Sequence, residues 1–331
     1  MAMNYRSLLL DDSAGDSDEQ YKAEEKFLAS PEKPATGSQT LRSGFTQRGA
    51  QKNYGFTILF EDNGQANEIK YELSVTSLGF NEYSRCEFEI DRTSPVYINE
   101  VEPDLVADQL AYLAGKVFYP LRVETDTTGA FLSVTNTDEI RKRWSACRAE
   151  IEARFEGNHT SRYIRVMEDR LRNDDFIQLT FKSDWFICVY FQAIYKNYHP
   201  ANAETIYMRF PNQEAWTDGY ETKQTLLQGT NHFGAVELHH EGNLVADEMN
   251  LESGKYHAKY ILDPVSHIIR IIVAEWTQVG KADKKITFKL FSTDENNPVK
   301  ESRKQTEMTN LVFLDGSDSE AKRPGFWEKW F

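Results

Sequence analysis

Tyr256-His257-Ala258-Lys259-Tyr260-Ile261-Leu262, then Asp263-Pro264-Val265-Ser266, then Ile268 through Trp276: this stretch decides the fold class. Tyr256, Ala258, Tyr260 and Leu262 alternate with His257, Lys259 and Ile261, the period of a strand with one face on a core. The Asp-led tetrapeptide turns the chain, and Ile268 to Trp276 returns. After Gly280 to Lys284, Ile286-Thr287-Phe288-Lys289-Leu290 reads as a third strand. Val236, Leu238 and the segment Thr222 to Leu227 extend the meander. Long antiparallel strands with bulky residues on one face predict a strongly curved, half-barrel-like sheet over 201–292.

Upstream, 56–200 reads as an α+β half. Phe56, Ile58 and Phe60 alternate with polar or smaller residues before the turn Asp62-Asn63-Gly64, and Ile69, Tyr71, Leu73, Val75 and Phe88, Ile90 repeat the period. Pro103 opens a helix over about 103–118 carrying Leu105, Val106, Leu110, Leu113 and Val117. A hairpin follows: Leu121 to Glu124, the turn Asp126-Thr127-Thr128-Gly129, and Phe131 to Val134. The next helix, about 138–156, places Ile140, Trp144, Cys147, Ile151 and Phe155 on one face, with Asn136 or Thr137 as cap and Gly157 as stop. Helical spacing continues over 161–195, and the apolar run Trp185 to Phe191 reads as a buried helix in preference to a central strand. The hairpin Leu121–Val134 weakly echoes Tyr260–Val273, which hints at two related halves joined by the helices.

The ends read differently. Residues 1–55 and 293–331 are rich in Ser, Asp, Gly, Glu and Lys, with too few apolar residues to offset the entropy of ordering, so disordered arms are expected there. Three islands stand out in them: Leu8-Leu9-Leu10, Leu311-Val312-Phe313-Leu314 and the terminal Gly325-Phe326-Trp327-Glu328-Lys329-Trp330-Phe331. As a helix, the last would gather Phe326, Trp327, Trp330 and Phe331 within about 140° of arc. So short a helix needs a groove to dock in, on a partner or on the body of this chain.

Composition narrows the function classes. The chain has 331 residues, 40% hydrophobic and 13% aromatic, enough for a sizeable core. Its formal net charge is −14, carried mainly by the body, which disfavours nucleic acid and anionic membrane surfaces as partners. Three cysteines at wide spacing, Cys86, Cys147 and Cys188, argue for a reducing compartment, and no apolar run approaches membrane-spanning length, so a cytoplasmic location is expected. No GxSxG elbow, P-loop, GxGxxG or HExxH is present. His239 and His240 are neighbours on a strand and face opposite ways, which is poor geometry for a shared metal. No catalytic residue, cofactor or metal site is therefore assigned.

Two functions lead, and a third class, an enzyme, would require at least two polar titratable groups converging in a cleft. The leading expectation is a non-enzymatic interaction protein: an adaptor, scaffold or subunit of a bacterial multiprotein assembly, anchored by Phe326, Trp327, Trp330 and Phe331, with Leu8, Leu9 and Leu10 as a weaker motif. The alternative is a carrier or sensor of an apolar small molecule, enclosed by Tyr256, Tyr260, Trp276 and Phe288.

Overall fold

A computed structural model describes residues 38–294, apart from 46, 200–204, 212–217, 232–233, 246–252 and 280–283. The motifs at Leu8–Leu10, Leu311–Leu314 and Phe326–Phe331 lie outside the described residues. Between residue 38 and the first predicted strand, Leu41, Phe45 and Tyr54 are all core residues, so the ordered chain reaches back past residue 56.

All but two of the described strands form one antiparallel sheet. The first half contributes β2 (Gln51–Asp62), β3 (Gln65–Phe80), β4 (Cys86–Arg92), β5 (Tyr97–Ile98), β6 (Leu121–Thr125) and β7 (Phe131–Val134). The second half contributes β9 (Thr205–Phe210), β10 (Asp218–Leu226), β11 (Val236–Leu244), β12 (Ser253–Leu262), β13 (Ile269–Val279) and β14 (Lys284–Ser292). Their order is β7-β6-β4-β3-β2-β14-β13-β12-β11-β10-β9, with β5 added beside β3. A separate two-stranded ribbon joins β1 (Gln39–Thr40) to β8 (Asn197–Tyr198).

The half-barrel expectation fails here. A barrel would need β14 to close onto the far strands of its own half. Instead β14 pairs with β2 from Lys284↔Asp62 to Ser292↔Tyr54, which carries the second half straight into the first. The result is a single open sheet, neither closed nor strongly curled, with β7 and β9 at its ends.

Among the described residues, five α-helices accompany it: α1 (Val106–Gly115), continued by the 3-10 turn Lys116–Phe118, α2 (Thr137–Arg154), α3 (Asn158–Leu171), α4 (Asp174–Lys182) and α5 (Trp185–Tyr190). The α2 face is as the spacing predicts: Ile140, Trp144 and Ile151 are buried. Asn136 precedes it, but its amide does other work, accepting from Arg122 N (2.9 Å) and donating to Pro120 O (2.8 Å). α3 starts at Asn158, ahead of the expected Ser161, because Gly157, at φ 110°, permits the reversal between the two helices. Asn173 caps α4 through Asp175 N, and Asp184 caps α5 through Ile187 N, both at 2.9 Å.

α5 is the wedge that joins helices to sheet. Its rings meet the inner face of both halves: Trp185 on Trp276 (4.9 Å between centroids), Phe186 on Phe56 (6.4 Å) and Tyr190 on Tyr54 (5.5 Å). At the β7 edge, the Gln178 amide of α4 accepts from Val134 N and donates to Val134 O, both at 2.8 Å, so a side chain takes the place of a next strand.

Three hairpins turn in the same way. Asn81, Asp126 and Asn231 each receive a backbone N–H on their side-chain oxygen from the residue four positions on (3.1, 3.0 and 3.0 Å). A left-handed residue, Ser84, Gly129 or Gly234, comes just before that donor. A left-handed residue at the close of the turn suits twisted antiparallel strands. Asp263 leads a loop one residue longer, closed by His267 at φ 55°. The echo between Leu121–Val134 and Tyr260–Val273 is thus shared turn chemistry that recurs elsewhere in the sheet, and by itself it does not argue for duplication.

Candidate functional site

The cleft between sheet and helices

On the inner face of the first half, the helices do not fill the space above the sheet. A cleft of about 220 Å³ lies between β2–β4 below and α1, α4 and the start of α5 above. Phe56, Ile58, Phe60 and Ile69 form its apolar floor, with Val96 and Pro103 on one side and Ala111, Phe118, Phe181 and Phe186 around the rest. An engineered apolar cavity of about 150 Å³ holds benzene, so this volume suits a molecule of about ten non-hydrogen atoms.

The polar groups in the cleft are few and come from strand ends and helix caps. Arg92 closes β4. Cys86, Phe88 and Ile90 point inward, and the strand period carries Arg92 onto the same face. Its guanidinium carbon lies over the rings of Tyr71 and Tyr119, 5.0 and 4.5 Å from their centroids, in cation-π range of both. Tyr71 is held by stacking on Phe56 at 4.4 Å. The segment carrying Tyr119 is held by Arg143, which donates to the carbonyls of Val117 (2.6 Å), Phe118 (3.4 Å) and Pro120 (3.1 Å). No carboxylate of the described residues makes an ion pair with Arg92; its guanidinium hydrogen-bonds the Tyr119 side chain, and its Nε has no hydrogen-bond partner. An unsatisfied buried donor of this kind costs about 1–3 kcal/mol.

Burial would favour the neutral form of Arg92, but the neighbouring tyrosines and Asp184 outweigh it, and the group stays charged. Burial pushes Tyr119 up and Tyr71 well up, so both remain neutral phenols. Burial also raises Asp184, against the Ile187 N–H and the Arg92 charge. One Asp184 oxygen is committed to capping α5.

The sequence-predicted site and the second half

Tyr256, Tyr260, Trp276 and Phe288 do converge on one face, and that face is packed. Tyr256, Tyr260 and Phe288 have no exposed surface and Trp276 has 3%. Trp276 stacks on Tyr256 at 5.0 Å and meets Phe210 at 4.9 Å, Phe288 meets Phe56 at 5.2 Å, and the Tyr260 hydroxyl donates to Val189 O at 2.8 Å. They are neighbours of the wedge helix and lie in the same core as the cleft's floor.

His239 and His240 separate as strand geometry requires. His240 is buried on the inner face, its Nδ1 3.3 Å from the Tyr256 hydroxyl, and burial pushes its pKa down to about 3. It sits opposite Gln224 on β10, and neither His240 Nε2 nor either polar atom of the Gln224 amide has a partner. On the outer face Glu237 accepts from His239 Nε2 (2.7 Å) and Lys259 Nζ (2.9 Å), beside the apolar cluster Ala235, Ile261, Ile271, Val273 and Phe291. Burial opposes the Glu237 charge, but those partners and Asn231 hold its pKa at about 2. Among the described residues no group of three or more His, Cys, Asp or Glu is arranged to hold a metal ion, and no helix is long and apolar enough to cross a membrane.

Sequence reasoning missed Arg92 and Asp184. The signal for Arg92 was present: extending the alternation Phe88, Ile90 by one step places an arginine where an apolar residue belongs. No protein-family model matches the chain, and no curated protein is similar to it.

Proposed function

We propose that this chain is a binding protein that holds a small, largely apolar molecule in the cleft between β2–β4 and α1, α4 and α5. The observation that carries this reading is a volume of about 220 Å³ left open in an otherwise close-packed aromatic core. Exposed apolar residues next to its lining in the chain support it: Val101 and Leu105 flank Pro103, and Leu179 precedes Thr180. The chemistry of the lining favours holding over converting. Tyr71 and Tyr119 stay protonated, the Arg92 guanidinium stays charged, and one oxygen of Asp184 is tied to a helix cap.

The test is a ligand-detected NMR screen of aromatic and branched aliphatic fragments of about ten non-hydrogen atoms. Each is run against the full chain and against Ala111→Phe, which fills the cleft from α1. Fragments that respond with the natural sequence and fall silent with Ala111→Phe are expected. If every responding fragment binds both proteins alike, the cleft is not the site.

A second reading keeps the adaptor role, and the sequence of the terminal segment favours it: Phe326, Trp327, Trp330 and Phe331 on one potential helical face. Deleting 325–331 is then expected to remove a stoichiometric protein partner in affinity purification while leaving the thermal midpoint of the body unchanged. A large fall in the midpoint would mean that the segment serves the body itself.

A further inference from the structure

The binding reading leaves open what the polar end of the ligand is, and the geometry points to a carboxylate: the cleft is a site for small monocarboxylic acids with an apolar body, gripped at the acid end by Arg92. This rests on the cleft being a binding site and goes further by assigning its selectivity.

The argument starts from how Arg92 is held. The guanidinium carbon lies over the Tyr71 and Tyr119 rings, 5.0 and 4.5 Å from their centroids, so two aromatic faces crowd the group. Its five N–H donors all point within the guanidinium plane. A hydrogen-bond acceptor approaches along that plane, the direction from which a carboxylate engages two donors at once. Among the described residues Nε lacks a partner and no carboxylate forms an ion pair with the group; the side-chain hydrogen bond it does have is to the Tyr119 hydroxyl, a neutral acceptor that leaves the charge unmatched. Asp184 acts on Arg92 through space, but its Oδ1 accepts from Ile187 N.

The edge is also physically open. Gly115, at the end of α1, lines the cleft beside the Arg92 Nη1, and a methyl group built there would stand 3.9 Å from that nitrogen. Gly115 has no positive φ, so an alanine fits the backbone, and the bare Cα serves space rather than conformation. An acid oxygen hydrogen-bonded to Nη1 would occupy the neighbourhood that a methyl group would crowd. The rest of the lining, Phe56, Ile58, Phe60, Ile69 and Phe186, meets the apolar body.

The experiment compares phenylacetate with phenylacetamide, which match in size and shape and differ in charge, by calorimetric titration of the full chain at pH 7.5. Phenylacetate is expected to bind at least tenfold more tightly. Arg92→Gln is expected to erase the difference while retaining phenylacetamide binding. Gly115→Ala, whose fold is not at risk, is expected to cut phenylacetate affinity severalfold more than that of the amide. Equal binding of the two compounds by the natural sequence overturns the carboxylate assignment and leaves the cleft reading standing. Equal losses for both compounds in Gly115→Ala also overturn it. Binding of neither compound at millimolar concentration, together with a fragment screen in which nothing depends on Ala111, removes the cleft reading and the assignment with it.

Discussion

The two halves of the sheet share one inner face and one wedge helix, yet they solve the problem of covering that face in opposite ways. Over β9–β14 the sheet covers itself: Phe210, Tyr220, Tyr256 and Trp276 interlock at centroid distances of 4.6 to 6.2 Å. Over β2–β4 the covering is done by helices that arch across Phe56, Ile58 and Ile69 and leave a cleft. Polar residues follow the same division. In the filled half His240 and Gln224 are sealed with no room to relax, and in the arched half Arg92 faces open volume. A packed core tolerates polar groups as structure, whereas an open one presents them to a ligand. The comparison teaches that function on this scaffold is to be sought where the sheet has failed to cover itself.

The largest effect that could break this contrast is at Trp276. Trp276→Ala is expected to cost about 3–5 kcal/mol, because the cavity it leaves among Trp185, Tyr256 and Phe210 cannot collapse. Tyr112→Ala, at a half-buried residue lining the cleft, is expected to cost about 1 kcal/mol. Denaturant midpoints of the two variants check this. Similar losses would show that the halves are equally packed.

Next comes pH. Burial, with smaller effects from Lys196 and His239, depresses His240 to about 3 in the folded state. The unfolded chain takes up the proton near pH 6.5, so the stabilising term is fully present above 6.5 and is lost as pH falls toward 3. About 2 kcal/mol should be gone by pH 5, and His240→Phe should flatten that slope. Glu237 acts in a lower window: its folded pKa of about 2 lies below the ordinary carboxylate value, so its contribution is lost between about 4.5 and 2. Unfolding curves at pH 7, 6 and 5 separate the two. An unchanged slope in His240→Phe would mean that the imidazole is hydrated through space not seen at Gln224.

The arched half also depends on a helix at its edge. Gln178→Ala leaves the N–H and C=O of Val134 without partners and is expected to cost about 1–2 kcal/mol. Hydrogen exchange at the Val134 amide should accelerate with it. If exchange there stays slow, α4 holds the edge by packing and the amide pair is incidental.

Much of this architecture was legible beforehand. Alternation at Tyr256–Leu262 and Ile69–Val75 marked strands because burial on one face imposes a period of two on the sequence. The α2 stripe from Ile140 to Ile151 marked a helix for the corresponding reason. What periodicity lacks is pairing. Nothing local in Lys284–Ser292 says that its partner is Gln51–Asp62, and so a continuous sheet was read as two, one of them curled. Local turn chemistry was legible at Asp126 and Asp263 but invited a reading as repetition. At the site, the failure was one of attention to type. Trp276 and its neighbours drew notice as aromatics, and aromatics that converge usually fill the space they define. Arg92, a charge in an apolar register, was the rarer and more informative signal.

The smallest expected effect is the sharpest test of the contrast. Ala111 and Ala274 are both small and buried, one beneath α1 against the cleft, the other on β13 at the centre of the filled half. Adding a ring at Ala274 forces neighbours off their rotamers, at about 1–3 kcal/mol or more. The same ring at Ala111 enters volume that is already empty, so Ala111→Phe is expected to shift stability by less than about 1 kcal/mol in either direction. The pair cancels the intrinsic difference between alanine and phenylalanine to first order and leaves the local room as the variable. Equal penalties in the two proteins would mean that the space above Phe56 and Ile58 is not available to a guest of ten atoms. A large gap would establish that one sheet carries a sealed half and a receptive half.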